Sequence, residues 1–175
     1  MNWRGISLVL LILLLGGCAG VNPQVYADQE PALDLFDYFE GESRAWGIFR
    51  DRAGEVRRRF TVDLVGTVEG DLLTLEEDFL YADGEQDRRV WRIRRVGPNR
   101  YEGRADDIIG VAAGEAHGPA LNWQYDVALT VGERDVKVHF NDWMYLQPDG
   151  VLLNVAEVSK FGVRVGEVTI AFRRD

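Results

Sequence analysis

From Ser43 onward apolar side chains recur at every second position, and this period constrains the chain more than any other feature. Phe60, Val62 and Leu64 alternate with Thr61 and Asp63. Leu73, Leu75, Phe79 and Tyr81 share one parity, and Trp91 and Ile93 sit between arginines. Leu121, Trp123, Tyr125, Val127 and Leu129 occupy consecutive same-face positions. Val136, Val138 and Phe140 continue the scheme, and Val163, Val165, Val168, Ile170 and Phe172 supply the last run. Successive strand side chains point to opposite faces, so alternation of this kind marks half-buried antiparallel strands.

The runs are separated by turn chemistry: "RAG" at 52–54, "VEGD" at 68–71, "ADGE" at 82–85, "GPN" at 97–99, "GER" at 132–134 and "PDG" at 148–150. Turns spaced by about 10–15 residues with short connections predict an up-and-down meander of about eight to nine strands. A meander that long avoids sticky edges most simply by closing on itself. The expected fold is therefore all-β, an antiparallel lipocalin-like (calycin) barrel, with a flat sandwich as the alternative. Pro31 is expected to open a short helical turn through "ALDLFDYF", where Leu35, Phe36 and Phe39 fall at helical spacing. "DDIIGVAAGEAHG" (106–118) has three glycines and reads as a long connection at the barrel mouth, partly helical.

A chain of 175 residues with 46% apolar content suits one globular domain with a sizeable core. One cysteine forms no internal disulfide, so the core has to hold the fold unaided. Residues 1–17 carry one charge, Arg4, and the rest of the chain holds 19 basic against 29 acidic side chains, a net of −10. That balance disfavours nucleic acid as a partner. The basic runs Arg57–Arg59 and "RRVWRIRR" lie among acids at strand spacing and read as solvated strand faces.

Met1 to Gly17 has the three parts of a secretory signal: Arg4, an apolar stretch from Ile6 to Leu15, and small residues. A stretch of about ten residues spans about 15 Å of helix, half the hydrocarbon core of a bilayer, so a permanent spanning helix is not expected. Leu15-Gly16-Gly17-Cys18 resembles the lipobox of bacterial lipoproteins. The resemblance implies cleavage before Cys18, a diacylglycerol on its thiol and acylation of the new amine. Stable anchoring takes two acyl chains, at about 0.8 kcal/mol per buried methylene. With no Asp after Cys18, it also implies the outer membrane and its periplasmic face. The expected organisation is a signal at 1–17, a lipidated N-terminus and flexible tether at 18–31, and the barrel at 32–175.

Small barrels are either filled by side chains or hold one small ligand. Parity places Glu77 with Leu75 and Phe79, Arg89 with Trp91 and Ile93, and Asp142 with Val138, Phe140 and Met144. A carboxylate on an apolar face must pair or raise its pKa. Glu77, Arg89, Trp91, Trp123, Tyr125, Phe140 and Asp142 are thus the candidate lining of a ligand cavity. The plainer reading is a buried ion pair that fixes strand register, or a bulge that turns these groups outward. Asn154 and Lys160 are candidates to close a polar network with Asp142. Trp143 and Tyr145 have the opposite parity, so their face is either covered, with Pro31–Phe39 as one cover, or a patch for lipid or partner. Asp106 and Asp107 would converge only within a loop. His117 and His139 are too isolated for a zinc site, and no serine is marked as a nucleophile, so neither a metal, a cofactor nor a catalytic residue is expected.

The stretches "LFDYFEGESRAWGIFRDRAG", "RVWRI", "YEGRADDIIGVAAGEAHGPALNWQY", "NDWMYLQPDGVLLNVAEVSKFGV" and "GEVTIAF" resemble a family of bacterial lipoproteins, domain-of-unknown-function family 3833. The likeness covers residues 33–173. It implies a small lipoprotein and brings no activity and no catalytic residues with it. The functional expectation is a membrane-anchored lipoprotein that binds or carries an apolar ligand, a lipid or fatty acyl chain. The alternatives are a filled barrel that serves as an assembly partner, and an enzyme acting on envelope lipids.

Overall fold

A computed structural model describes residues 20–131 and 134–174, so the signal-like segment and Cys18 lie outside the described residues. Ten strands run in sequence order: β1 (Gly41–Asp51), β2 (Val56–Glu69), β3 (Leu72–Tyr81), β4 (Gln86–Gly97), β5 (Arg100–Arg104), β6 (Ile108–His117), β7 (Ala120–Val131), β8 (Arg134–Leu146), β9 (Leu152–Lys160) and β10 (Val163–Arg174). Each pairs antiparallel with its neighbours in sequence, and β10 returns to β1 to close the barrel. Buried apolar positions run from Leu33 to Phe172, and the seam is made by the first and last strands. The described residues thus hold a sheet closed on itself and a continuous core.

The expected eight or nine strands become ten because 108–117 is a strand, not a connection. Gly110 supplies a positive φ where the pairing with β7 is irregular, and Gly114 is there for space. Trp123 of β7 points into the barrel, and its indole lies flat against Gly103 of β5 and Gly114 of β6. A Cβ at Gly103 would come within 2.6 Å of the ring, and one at Gly114 would overlap it outright. Small residues that look like loop punctuation are a seat for the largest side chain.

The two ends of the barrel differ. One carries the turns at 70–71, 98–99, 118–119 and 147–151 and is stopped by the segment from Leu33 to Phe39, which includes helix α1 (Leu35–Phe39). The helix is a single turn that begins later than Pro31 because Asp34 caps it. The Asp34 carboxylate accepts from the Phe36 amide at 2.9 Å and the Asp37 amide at 3.3 Å. Arg95 of β4 binds both oxygens of Asp34 at 3.0 Å, with its guanidinium over Phe36 and Tyr101. Burial pushes the Asp34 carboxyl up, but Arg95 and the two amides outweigh it and hold the group below the ordinary carboxylate range. Leu33, Leu35, Phe36, Tyr38 and Phe39 are all buried. Each is worth about 1.5–3 kcal/mol on transfer from water. Gly66 of β2 is the point of closest approach: the Phe39 carbonyl occupies the place a Cβ would take. The Tyr38 hydroxyl lies 3.1 Å from the carbonyls of both Gly150 and Phe172, so it ties the plug to the far wall.

Trp143 and Tyr145 stack on the outside of β8. Their cover is not the Pro31–Phe39 segment but Tyr26, which meets both rings edge-on. Tyr26 belongs to a 3-10 turn (Pro23–Tyr26) within the stretch read as a tether, and this turn rests on the same end of the barrel. The arginine runs are solvated only in part: Arg57 meets Asp51 at 2.7 Å, Arg58 meets Glu85 at 2.6 Å and Arg88 meets Glu76 at 2.7 Å, but Arg89 turns into the barrel and Arg95 holds the plug.

Candidate functional site

The other end carries the turns at 52–55, 82–85, 105–107 and 161–162, and no described helix covers it. Four inward leucines near the plug are fully buried: Leu64, Leu73, Leu121 and Leu152 have at most 1% of their surface exposed. The inward aromatic side chains toward the open end, by contrast, are only partly buried: Phe49, Phe60, Phe79, Tyr81 and Phe140, whereas the aliphatic Ile108, Val127, Val138 and Val158 beside them are buried. Phe60, Phe79 and Tyr81 contact one another at 5.7–6.2 Å between ring centroids, forming an aromatic rim on β2 and β3.

Between rim and plug lies a layer that contains all seven residues singled out from parity. Trp91 meets Trp123 at 5.9 Å and Tyr125 at 5.4 Å, both edge-on, and Tyr125 stacks on Phe140 at 5.2 Å. Glu77 and Arg89 are cross-strand partners on β3 and β4. Arg89 donates to Asp107 Oδ2 at 2.5 Å, and its guanidinium stands 5.9 Å from the rings of both Phe79 and Trp91. The Trp91 indole N–H donates to Glu77. The Tyr125 hydroxyl donates to Asp142 Oδ2 at 3.0 Å. Three carboxyl groups and one guanidinium therefore share the centre of an aromatic interior.

Their protonation follows from the surroundings. Burial pushes Glu77 up to about 7, although Arg89 and the Trp91 hydrogen bond pull the other way and Asp107 adds repulsion. Glu77 keeps some accessible surface toward the mouth, yet protein atoms crowd its carboxyl, and that crowding sets its proton affinity. Burial likewise lifts Asp142 to about 7 against the pull of Tyr125 and Arg89. Burial alone would weaken the hold of Arg89 on its proton, but Glu77, Tyr125 and Asp107 reverse that, and it stays charged. Two buried acceptors have no donor among the described residues, Asp142 Oδ1 and Asp107 Oδ1.

The network expected for Asn154 and Lys160 does not form. Asn154 is buried one inward position beyond Asp142 toward the plug and donates to the Trp143 carbonyl at 3.4 Å, while Lys160 sits at the open end against Phe161. Asp106 faces solvent, whereas Asp107 turns inward, because the 105–107 turn frees it from strand parity. Parity alone therefore missed Asp107. The rim aromatics did carry a signal, since Phe79 and Tyr81 share the parity of Glu77. No group of three or more His, Cys, Asp or Glu side chains is placed to hold a metal among the described residues.

Solved structures with the same barrel include the S-type phycobiliprotein lyase CPES from Guillardia theta. It is 9% identical with a TM-score of 0.62, and the match covers 89% of this chain and 98% of the lyase. Rv2717c from M. tuberculosis is 16% identical with a TM-score of 0.56, over 85% of this chain and 99% of that one. At such identities the likeness is one of fold. No curated protein matches the sequence. The profile of the family described as "Protein of unknown function (DUF3833)" matches residues 12–174, nearly the whole length, and the chain belongs to that family.

Proposed function

We propose that the protein is an envelope lipoprotein, anchored through Cys18 to the periplasmic face of the outer membrane, whose barrel binds an apolar ligand through its open end. The observation that carries the binding role is the gradient of burial along the interior. Inward aromatic side chains at the open end remain accessible, while those beside the plug are sealed. A folded chain leaves inward rings accessible at a cost of about 25 cal/mol per Å² of apolar surface, and an apolar guest recovers it. The anchor rests on the lipobox-like stretch, which lies within the matched residues 12–174.

Native mass spectrometry of the barrel purified from bacteria, with Nile red titration, tests the binding role. The expected results are a co-purifying lipid-sized mass and a rise in dye fluorescence that Phe79→Ala weakens. A ligand-free barrel that leaves the dye dark overturns the reading. Labelled palmitate should enter the full chain and fail to enter Cys18→Ser.

A second reading, an assembly partner, draws on the outer wall. There Trp46, Ile48 and Leu80 line an open trough of about 600 Å³ across β10, β1, β2 and β3. Substituting Trp46 should abolish partner capture without touching dye binding if that trough is the working surface.

A further inference from the structure

The interior layer is more selective than an oily pocket, and its chemistry narrows the ligand. From the geometry we infer that the cluster around Asp142 receives the polar head of the apolar ligand, and that this head is a hydrogen-bond donor without negative charge: an amine or a hydroxyl, not a carboxylate or phosphate. The inference deepens the binding role proposed above and rests on it.

Two observations meet here. The first is the unmet acceptor. Asp142 has 5% of its surface exposed, its Oδ2 is taken by the Tyr125 hydroxyl, and its Oδ1 has no donor. A buried acceptor without a partner is costly, and a ligand that brings an N–H or O–H relieves it. Asp107 Oδ1, on the carboxylate that accepts from Arg89, is a second buried acceptor without a donor among the described residues. While Asp142 is ionised, a head that only accepts hydrogen bonds satisfies neither oxygen.

The second is the charge balance. Arg89 is the one cation among Glu77, Asp107 and Asp142, and it is engaged by Asp107 and stands across from Glu77. An anionic head would have to displace Asp107 from the guanidinium and then sit beside the remaining carboxyl groups. Like charges in a crowded interior repel strongly. An ammonium or hydroxyl meets the opposite situation, with two waiting acceptors in a layer that excess negative charge favours. The approach suits the same guest, because the rings of Phe79 and Phe140 stay partly accessible to an alkyl chain and, in the case of an amine, to its charge.

The test uses the closed barrel of residues 20–174, loaded with Nile red, and three competitors that differ only in head group: decylamine, decanol and decanoate. At about pH 8.5, where both carboxyl groups, Glu77 and Asp142, are ionised and decylamine is still an ammonium, decylamine and decanol should displace the dye at concentrations at least about tenfold lower than decanoate, as a charge-assisted hydrogen bond implies. Asp142→Asn, which keeps the side chain's shape, should weaken decylamine by about tenfold relative to the variant's own affinity for the dye. Decylamine losing more than decanol would identify an ammonium head; equal losses would identify a hydroxyl. Decanoate competing as well as decylamine overturns the inference, as does an Asp142→Asn barrel with unchanged affinity for both donors. The comparison of heads on the unaltered barrel decides even where the variant is unstable. A barrel that never takes up the dye removes the binding role itself, which is a different failure.

Discussion

The two ends of the barrel solve opposite problems with the same kinds of residue. At the plugged end an aspartate, an arginine and four aromatic rings make a sealed joint: Asp34 meets Arg95, and Phe36, Phe39, Tyr101 and Phe172 close around them. Toward the open end Asp107 meets Arg89, and Phe60, Phe79, Tyr81 and Phe140 stand around without closing. In the first case the ion pair lies at the rim of a cap and fixes a helix. In the second it lies inside, with two further carboxyl groups and two acceptors left over. Similar composition gives stability where a segment fills the space and gives receptivity where none does.

Substitution at the plug should have the largest effect. Phe39→Ala is expected to cost about 3–5 kcal/mol in chemical denaturation, the usual toll for a buried phenylalanine. Gly66→Val should be of similar severity, because the new side chain meets the Phe39 backbone and not a movable group. At the open end Phe79→Ala should cost about 1–2 kcal/mol and act mainly on dye binding. Equal stability losses for Phe39→Ala and Phe79→Ala would erase the contrast.

Acidity sharpens it next. Glu77 and Asp142 titrate near 7 in the folded barrel against ordinary values of 4.5 and 3.8. Between those limits the folded state holds protons that the unfolded chain has released, so stability should fall as pH rises from about 4 through 7. Each unit of difference corresponds to about 1.4 kcal/mol, and the two groups repel each other, so a combined loss on the order of a few kcal/mol is expected. Glu77→Gln should flatten that slope in denaturation curves measured across the range.

The plug should behave in the opposite sense and more weakly. Asp34 sits below its ordinary 3.8, so its contribution is present above that value and lost as pH falls through the lower folded one. With a third of its side chain exposed, Asp34→Asn should cost about 1 kcal/mol or less. A slope of the same sign from both ends would count against assigning opposite roles to their carboxyl groups.

Strand parity is local information, and it was enough to bring Glu77, Arg89, Trp91, Trp123, Tyr125, Phe140 and Asp142 into one layer. It failed wherever the backbone leaves the pleat. Asp107 follows a turn, so nothing in its neighbours' alternation told that it would face Arg89. The 108–117 strand hid behind glycine and alanine, and Gly114 makes sense only beside Trp123, a ring contributed by the next strand. Tyr26 and Trp143 are far apart in sequence, so the cover on that outer face is a fact of tertiary packing alone. Which end is plugged was illegible for the same reason: an alternating pattern reads identically in both directions along a strand.

The 3-10 turn at Pro23–Tyr26 settles against the β6–β7 connection, where the Gln29 and Tyr26 carbonyls crowd Gly118, so the leading segment departs from the plugged side. Cys18 precedes Gly20 by two residues, which is about 7 Å of chain at most. Fatty chains on that thiol, as proposed, would moor the molecule bottom-down, its rim lifted roughly a strand's length, about 30 Å, off the bilayer. Cargo would then pass to and from the aqueous side, handed over by something facing the rim and not drawn up from the leaflet underneath.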